Sequence, residues 1–333
     1  MRFDFSLALR VAARFQDREA KAQYLKAIDF TIGLVKRLSA AGQELPFGGP
    51  SFRDVLRRLI EMRESSQTGF NLGTLLENKE MISGKGSAIL KRLERDESKV
   101  LPREQDLAAF VQPFGNKTDS AIPAQTALML RLMAAATGED PALINERLIK
   151  DAEFFDLAFE AIYPVLTKAK SEVDSAIGSA ADGGYASRIK APKSAFGKQG
   201  RNQISILAFK DLVGCRVITP TVSNMAAVAA ATQSKFDILD KKNYFLKNTG
   251  YNAINYNLNS AGIIVEFQIK TSVNEVEAAL SHDLIYAPEK AIADLSSNEK
   301  VLVARVIDVS TQLSMKEWSE AFDIAMKLAN RRR

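Results

Sequence analysis

Four polar segments in the second half of the sequence hold the residues whose types and spacing could do chemistry. The first, at 211–219 (DLVGCRVIT), places Asp211 and a glycine ahead of Arg216, which leads into an apolar run. A carboxylate at the edge of a strand can bind Mg²⁺, which prefers oxygen ligands and keeps several waters. An acid and an arginine at this spacing also form ordinary surface ion pairs, so the segment alone leaves both interpretations open.

The second segment, at 265–271 (VEFQIKT), has the alternation of a β-strand. Side chains of a strand point to opposite faces in turn, so Glu266, Gln268 and Lys270 share one face. The apolar residues between them would face the core. An acid, an amide and an ammonium group on one face fit either a solvated sheet surface or a binding surface.

The third segment, at 187–198 (SRIKAPKSAFGK), is basic. Arg188 and Lys190 would lie on one face of an extended stretch. A proline then begins a helical turn, in which Ser194 and Lys198 are four residues apart and share a side. Cations from the two elements would converge on a polyphosphate, although a basic solvent-facing surface explains the same pattern.

The fourth segment, at 242–255 (KNYFLKNTGYNAIN), is a basic loop that ends in a glycine turn. A purine could stack on Tyr251, and Lys247 could meet a phosphate. Taken alone, Tyr251 fits equally a half-buried aromatic residue at the beginning of a strand.

Composition excludes several classes of chemistry. The single cysteine allows neither an internal disulfide nor a cysteine-based zinc site, and the single histidine, His282, excludes any site with two histidines. The chemistry must therefore use carboxylates and basic residues, with or without a metal held by oxygen ligands. With 46% hydrophobic and 26% charged residues, the chain has the profile of a soluble globular protein.

Charge indicates an anionic partner. The net charge is +5, and the basic residues are concentrated between 185 and 216, where Asp211 is the lone acid. The sequence has no apolar window long enough for a membrane span and its first residues lack a secretory pattern, so we expect a cytoplasmic protein without membrane contact.

Helical spacing of apolar residues predicts an all-helical first part. The expected helices lie at about 17–41, 52–63, 71–97, 103–111, 124–136 and 140–177. Asp140 and Pro141 resemble an N-cap and first-turn pair, and Pro164 is a candidate break in the last helix. Residues 112–123 are expected to form a loop.

The second part predicts an α+β fold. Strand-like runs lie at about 212–219, 236–239, 255–258 and 263–269, with helices at about 223–233 and 297–329. The predicted division is an all-α domain at 1–145 and an α+β domain with a C-terminal helical arm at 146–333.

The order and spacing of the polar segments resemble the RelA/SpoT-type alarmone synthetase domain, over about residues 150–295. In this sequence the matching motifs read RIKxPxSxxxK, DLVGCRVI, KNY…KNxGYNAIN, VEFQIKT and ALSHDLIY. The resemblance implies a mixed β-sheet flanked by helices, of the nucleotidyltransferase-like kind. It implies Mg²⁺-dependent transfer of pyrophosphate from ATP to the 3′-hydroxyl of a nucleotide, GDP or GTP first among them, which gives (p)ppGpp.

By this resemblance, Asp211 and Glu266 hold Mg²⁺, and Glu266 also takes the proton of the attacking hydroxyl. The ATP side comprises Arg188, Lys190, Ser194, Lys198 and Arg216, and the two arginines would flank the adenine. The acceptor side comprises Lys247, Tyr251, Asn255, Gln268 and His282, with Tyr251 as the platform for the base.

Departures from the family pattern lie mainly on the acceptor side. Asn255 stands where the family usually has histidine, Asn243 where it has aspartate, and Lys270 where it has arginine. Ala287 replaces a lysine, and Ser281 replaces a glutamate of many small members. Arginine offers a bidentate fork that lysine lacks, so acceptor recognition is expected to differ.

Two other functions are compatible with these departures. One is a toxin-type pyrophosphokinase that acts on an adenine nucleotide or on the 3′ end of tRNA. The other is a catalytically silent nucleotide sensor. Residues 1–145 contain no histidine, so they cannot form an active histidine-aspartate hydrolase domain. We expect them to serve in regulation, in formation of a homo-oligomer or in binding a regulatory protein.

Overall fold

The computed structural model describes residues 15, 17–42, 52–77, 114–178, 184–219, 222–244, 252–281 and 295–330. Within these residues, helices precede and follow a single mixed sheet. The helices are α1 (Arg18–Ala40), α2 (Phe52–Glu77), α3 (Thr118–Thr137), α4 (Pro141–Lys150), α5 (Ala152–Ile177), α6 (Pro192–Asn202), α7 (Val222–Lys235), α8 (Ser272–Leu280) and α9 (Ser297–Asn330). No helix among the described residues is both long enough and apolar enough to span a bilayer.

The first two helices begin where the sequence indicates, but α2 is longer than predicted. Asp17 caps α1, since its carboxylate accepts a hydrogen bond from the backbone N–H of Glu19 at 2.9 Å. Helix α2 continues without a break to Glu77, so the predicted end near residue 63 is wrong. The polar residues beyond this point are accommodated within the helix, as Ser66 Oγ donates to the carbonyl of Met62 at 2.7 Å.

Helices α3 to α5 also differ from their predicted bounds. Helix α3 begins at Thr118, so residues expected to form a loop are helical, and Pro123 lies within its second turn. Asp140 caps α4 as predicted. The predicted helix at 140–177 is two helices, and the break is at Asp151, not at Pro164. Asp151 is extended and accepts a hydrogen bond from the Phe154 N–H at 2.9 Å, which starts α5.

The sheet has five strands in the order β1-β2-β5-β4-β3. The strands are β1 (Tyr185–Ile189), β2 (Val213–Thr219), β3 (Asp237–Asn243), β4 (Ile254–Ser260) and β5 (Ile263–Thr271). The β2–β5 pair is parallel, and the other three pairs are antiparallel. The predicted α+β class with a mixed sheet is confirmed for this part, and β1 adds a strand where only an extended stretch was expected.

One face of the sheet packs into a large hydrophobic cluster, and α3 belongs to this cluster. It contains side chains of α3, α4, α5 and α7 together with Val213, Val265 and Phe267 of the sheet. Gln125 of α3 is 1% exposed. Its amide nitrogen donates to the carbonyls of Leu207 and Phe209, and its amide oxygen accepts from the N–H of Ile264 at 2.8 Å.

A second hydrophobic cluster joins the two ends of the described chain. Side chains of α1 and α2 pack there with Leu280 of α8, with Leu295, and with Val303 and Val306 of α9. Arg305 of α9 also donates a hydrogen bond to Gln23 of α1 at 2.6 Å. Helix α9 therefore contributes to the hydrophobic cluster that α1 and α2 form.

The two clusters do not follow the predicted division at residue 145. Helix α3 lies before that residue but packs with the sheet, whereas α9 lies after it and packs with α1 and α2. Separate folding of residues 1–145 and their regulatory role stay predictions. Any separate helical unit would have to include α9 to bury the apolar faces of α1 and α2.

We predict that Gln125→Leu lowers the free energy of unfolding by about 3 kcal/mol. The change leaves three buried backbone groups without this partner, and each unsatisfied group costs about 1–3 kcal/mol. Gln312→Leu is the matched control, because the Gln312 amide is exposed and bonds only to Asp308 within the same helix. Urea unfolding measures both. An equal, small effect of the two substitutions would contradict the assignment of α3 to the sheet core.

Candidate active site

A cleft opens at the sheet and is lined mainly by polar side chains. Three adjacent strands, β1, β2 and β5, form it. Its lining residues are Ala186, Ser187, Arg188, Gly214, Cys215, Arg216, Glu266 and Gln268. The cleft thus collects residues from three of the four polar segments of the sequence.

Strand register explains how these side chains meet. Gly214 pairs with Arg188 on one side and with Glu266 on the other. A Cβ at Gly214 would lie 3.8 Å from Arg188 Nε, so the Arg188 side chain lies against the position that the glycine leaves open. In the next row Arg216 pairs with Gln268. The Arg188 side chain thus lies over β2, at van der Waals distance from where a Cβ of residue 214 would stand.

Asp211, just before β2, holds two of the predicted phosphate-binding lysines. Its Oδ2 atom is 2.6 Å from Lys198 Nζ and 3.1 Å from Lys190 Nζ. Burial opposes the charge on Asp211, but the bonds and charges of the two lysines outweigh it and hold the pKa of the carboxyl below its ordinary value. The three residues come from α6, the β1–α6 connection and the start of β2.

The cations of the cleft repel one another. Burial lowers the pKa of Arg188 and the charge of Arg216 adds to this, whereas Asp211 and Glu266 oppose it. Burial likewise lowers the pKa of Lys190, against the attraction of Asp211. Lys190 is only 7% exposed. A group of partly desolvated cations is stabilised by any anion that enters, which makes the cleft a favourable site for phosphates.

Asn255 and Gln268 form the described part of the predicted acceptor side. They are register partners on β4 and β5. The side-chain oxygens of both are buried and lack a hydrogen-bond partner among the described residues. Buried acceptors without donors are uncommon in folded proteins, so these two oxygens are available to the N–H or O–H groups of a ligand.

Other predicted residues are not brought into the cleft by the described structure. Lys247, Tyr251 and His282 lie outside the described residues. Ser194 is exposed on α6, one turn before Lys198. Their roles at the ATP and acceptor sides stay predictions.

Glu275 of α8 is a residue that the sequence interpretation missed. Its Oε1 atom pairs with Arg216, and its Oε2 atom is 3.5 Å from Lys270 Nζ. Lys270 is 2% exposed and Glu275 is 3% exposed. An acid one turn into the helix after β5 was the available signal, but Glu277 is equally acidic and the sequence alone does not choose between them.

The oxygen ligands present fit Mg²⁺ bound together with nucleotide phosphates. Asp211 Oδ1 is buried and lacks a hydrogen-bond partner among the described residues, and Asp211 and Glu266 both attract the charge of Arg188. No group of three or more histidine, cysteine or acidic residues suited to a metal occurs in the described ranges. Mg²⁺ commonly uses only one or two carboxylates, with waters and substrate phosphates as its other ligands.

One family model matches part of the chain. Residues 187–291 match the family model described as the region found in RelA / SpoT proteins. This part of the chain is a RelA/SpoT-type synthetase domain, and the resemblance predicted from the motifs is confirmed for it. No curated protein matches the chain.

Several solved structures are similar in fold. The small alarmone synthetase 1 from Bacillus subtilis, bound to its product pppGpp, is 20% identical with a TM-score of 0.39, over 49% of this chain and 95% of that one. A GTP pyrophosphokinase family protein from Streptococcus pneumoniae is 18% identical with a TM-score of 0.38, over 51% and 95%. The Type VI effector Tas1, in complex with its immunity protein, is 19% identical with a TM-score of 0.29, over 46% and 96%.

We predict that Asp211→Asn weakens the dependence of stability on pH in acid. The folded-state pKa of Asp211 is below its ordinary value of 3.8, so its stabilising contribution is complete above that value. The contribution is lost as pH falls through the lowered pKa. Unfolding by urea between about pH 5 and pH 3 should therefore cost the native chain more stability than the variant.

Asp119→Asn is the control for this measurement. Asp119 pairs with Lys210, but its side chain is 73% exposed, and exposed pairs contribute little to stability. The control should keep the acid sensitivity of the native chain. If Asp211→Asn also keeps it, the Lys190–Asp211–Lys198 contacts do not stabilise the fold.

Proposed function

We propose that this chain transfers the β,γ-pyrophosphoryl group of ATP to the 3′-hydroxyl of a second nucleotide. The bond between the β-phosphorus and the oxygen that bridges it to the α-phosphorus breaks, a bond from the 3′-oxygen to the β-phosphorus forms, and AMP leaves with the bridging oxygen. The observation that carries the proposal is the group of charges at the cleft: Arg188 and Glu266 line it, and Asp211, tied to Lys190 and Lys198, attracts the Arg188 charge from beside it. Phosphoryl transfer needs such a combination of cations and metal-binding oxygens.

The cations of β1 and α6 would bind the ATP phosphates. Lys190 and Lys198 are held side by side by Asp211, which keeps both ammonium groups at one wall of the site. Arg188 lies across Gly214 beside them. The mutual repulsion of these three cations is relieved when a polyphosphate binds, which favours binding of the group to be transferred. Arg188 and Arg216, from adjacent strands, would flank the adenine with their flat guanidinium groups.

Asp211 and Glu266 would hold the metal. The Oδ1 atom of Asp211 can accept a cation while Oδ2 keeps its contacts with the lysines. When bound, Mg²⁺ would neutralise charge that develops on the phosphate oxygens in the transition state. Glu266 lies on β5, and Asp211 lies just before β2, the parallel neighbour of β5.

Glu266 would also take the proton of the attacking 3′-hydroxyl. A general base must lie within hydrogen-bond reach of the proton that it removes. Glu266 lines the cleft in the same register row as Arg188, and Gln268 lies two residues further along β5. Glu266 is therefore next to both proposed substrate sites. The acceptor ribose would therefore have to lie over β5.

The acceptor most consistent with the motifs is a guanine nucleotide, GDP or GTP. Asn255 and Gln268 offer unpartnered oxygens to this substrate. Purified chain with ATP, Mg²⁺ and a panel of GDP, GTP, ADP, ATP and tRNA tests the assignment by AMP release and product mass. A pyrophosphorylated adenine nucleotide or tRNA would identify the toxin-type reaction, and no turnover with any acceptor would favour a silent sensor.

We predict that Glu266→Gln and Asp211→Asn each lower the transfer rate by about a thousandfold or more, because each removes a metal ligand from the transition state. AMP release at saturating substrates measures the effect. Glu172→Gln is the matched control, since this exposed acid bonds to Ser260 away from the cleft. Near-native turnover in both site variants would rule out the mechanism.

We predict that Arg188→Ala raises the KM for ATP, whereas Tyr251→Ala mainly raises the KM for the acceptor. Stacking of a base on an aromatic ring contributes roughly 1–3 kcal/mol, which corresponds to about 5-fold to 150-fold in affinity. Initial rates with one substrate varied at a time separate the two constants. An effect of Tyr251→Ala on ATP alone would show that the two substrate sites have been exchanged.

A further inference from the structure

Helix α8 is fixed to the end of β5 by a reciprocal cap. Thr271, the last residue of β5, donates from its hydroxyl to Asn274 Oδ1 at 2.8 Å, and the Asn274 N–H donates back to the Thr271 hydroxyl at 3.3 Å. Both residues are buried. The next residue along the helix is Glu275, so the position of its carboxylate relative to β5 is set by these bonds.

Glu275 pairs with two cationic side chains, Arg216 and Lys270, and Arg216 lines the cleft. Its carboxylate pairs with Arg216 through Oε1 and with Lys270 through Oε2. Lys270 is almost completely buried, so it cannot contact a substrate in the cleft. The Arg216 side chain, in contrast, is 24% exposed and lines the cleft.

Burying these charged groups costs free energy, and their ion pairs do not by themselves explain why the group is present. A carboxylate removed from water is stabilised only by well-placed partners, and an apolar contact of the same volume is often as stable. The contact of one guanidinium nitrogen with Glu275 restrains the Arg216 side chain at the cleft. Lys270 completes the charge balance from the other side of the carboxylate.

We infer that Glu275 is a positioning residue for the nucleotide donor, acting through Arg216. The inference rests on the proposed function, in which Arg216 flanks the base of ATP. Without the carboxylate, the long Arg216 side chain would sample several rotamers. The entropy cost of ordering it when ATP binds would then lower the affinity for ATP. Glu275 itself touches no substrate.

The test is a double-mutant cycle on ATP binding, measured by calorimetry with Mg²⁺ and no acceptor. Glu275→Gln should weaken ATP binding about tenfold, since it removes a charge-assisted hydrogen bond that orients Arg216. Arg216→Ala should weaken it by at least as much. In the Arg216→Ala background, Glu275→Gln should have no further effect on ATP affinity, because the residue through which it acts is gone.

Two further variants separate positioning from folding. Glu275→Asp keeps the charge and should bind ATP more tightly than Glu275→Gln. The Glu275→Gln/Lys270→Met double variant removes both buried charges, so it stays measurable if Glu275→Gln alone does not fold, and it should show the same weak ATP binding. Glu172→Gln is the control and should bind ATP like the native chain.

An unchanged ATP affinity in the folded Glu275→Gln chain, or an equal loss with and without Arg216, would overturn the inference. The second result would mean that Glu275 only anchors α8 to the sheet. Failure of the native chain to bind ATP would overturn the proposed function and this inference together. Native binding with an unaffected Glu275→Gln variant would leave the proposed function intact and remove only the role of Glu275.

Discussion

Strands β2 and β5 run parallel, and their register from Val213–Val265 to Thr219–Thr271 brings the two motif strands side by side. Everything at the cleft depends on this pairing. It places Gly214 next to Glu266 and Arg216 next to Gln268, and it makes the two strands end together where α8 begins. A shift by one residue would turn Glu266 into the hydrophobic cluster and Phe267 into the cleft, because successive strand residues face opposite ways.

Charge compensation is the second condition for the site. Arg188, Lys190, Lys198 and Arg216 share a small, partly desolvated region, and their repulsion is offset by Asp211, Glu266 and Glu275. Each carboxylate therefore has a structural effect beside any catalytic one. This coupling means that the affinity of the cleft for an anion and the stability of the folded chain are set by the same few contacts.

Local patterns were sufficient for β2 to β5 and for most of the residues near Asp211, whereas β1 was expected only as an extended stretch. Alternation identified Glu266, Gln268 and the buried face of β5, and the Asp140 cap was evident from its neighbours. Features that depend on distant partners were not predictable. The place of α3 in the sheet core rests on Gln125 bonding to residues about 80 and 140 positions away. Alternation placed Lys270 with Glu266 and Gln268, but its burial involves Glu275 across the β5–α8 junction, which alternation does not reveal.

The ribosome makes α1 well before α9, and the second hydrophobic cluster contains side chains of both helices. Leu59 of α2 and Val306 of α9 belong to that cluster and are separated by most of the chain. While the sheet is being made, α1 and α2 lack the contacts that α9 supplies to the cluster. Contacts of such long sequence separation form late, because the loop that they close is costly in entropy. The nascent chain thus exposes the apolar surface that α9 later covers, and this surface is a target for chaperones until α9 emerges.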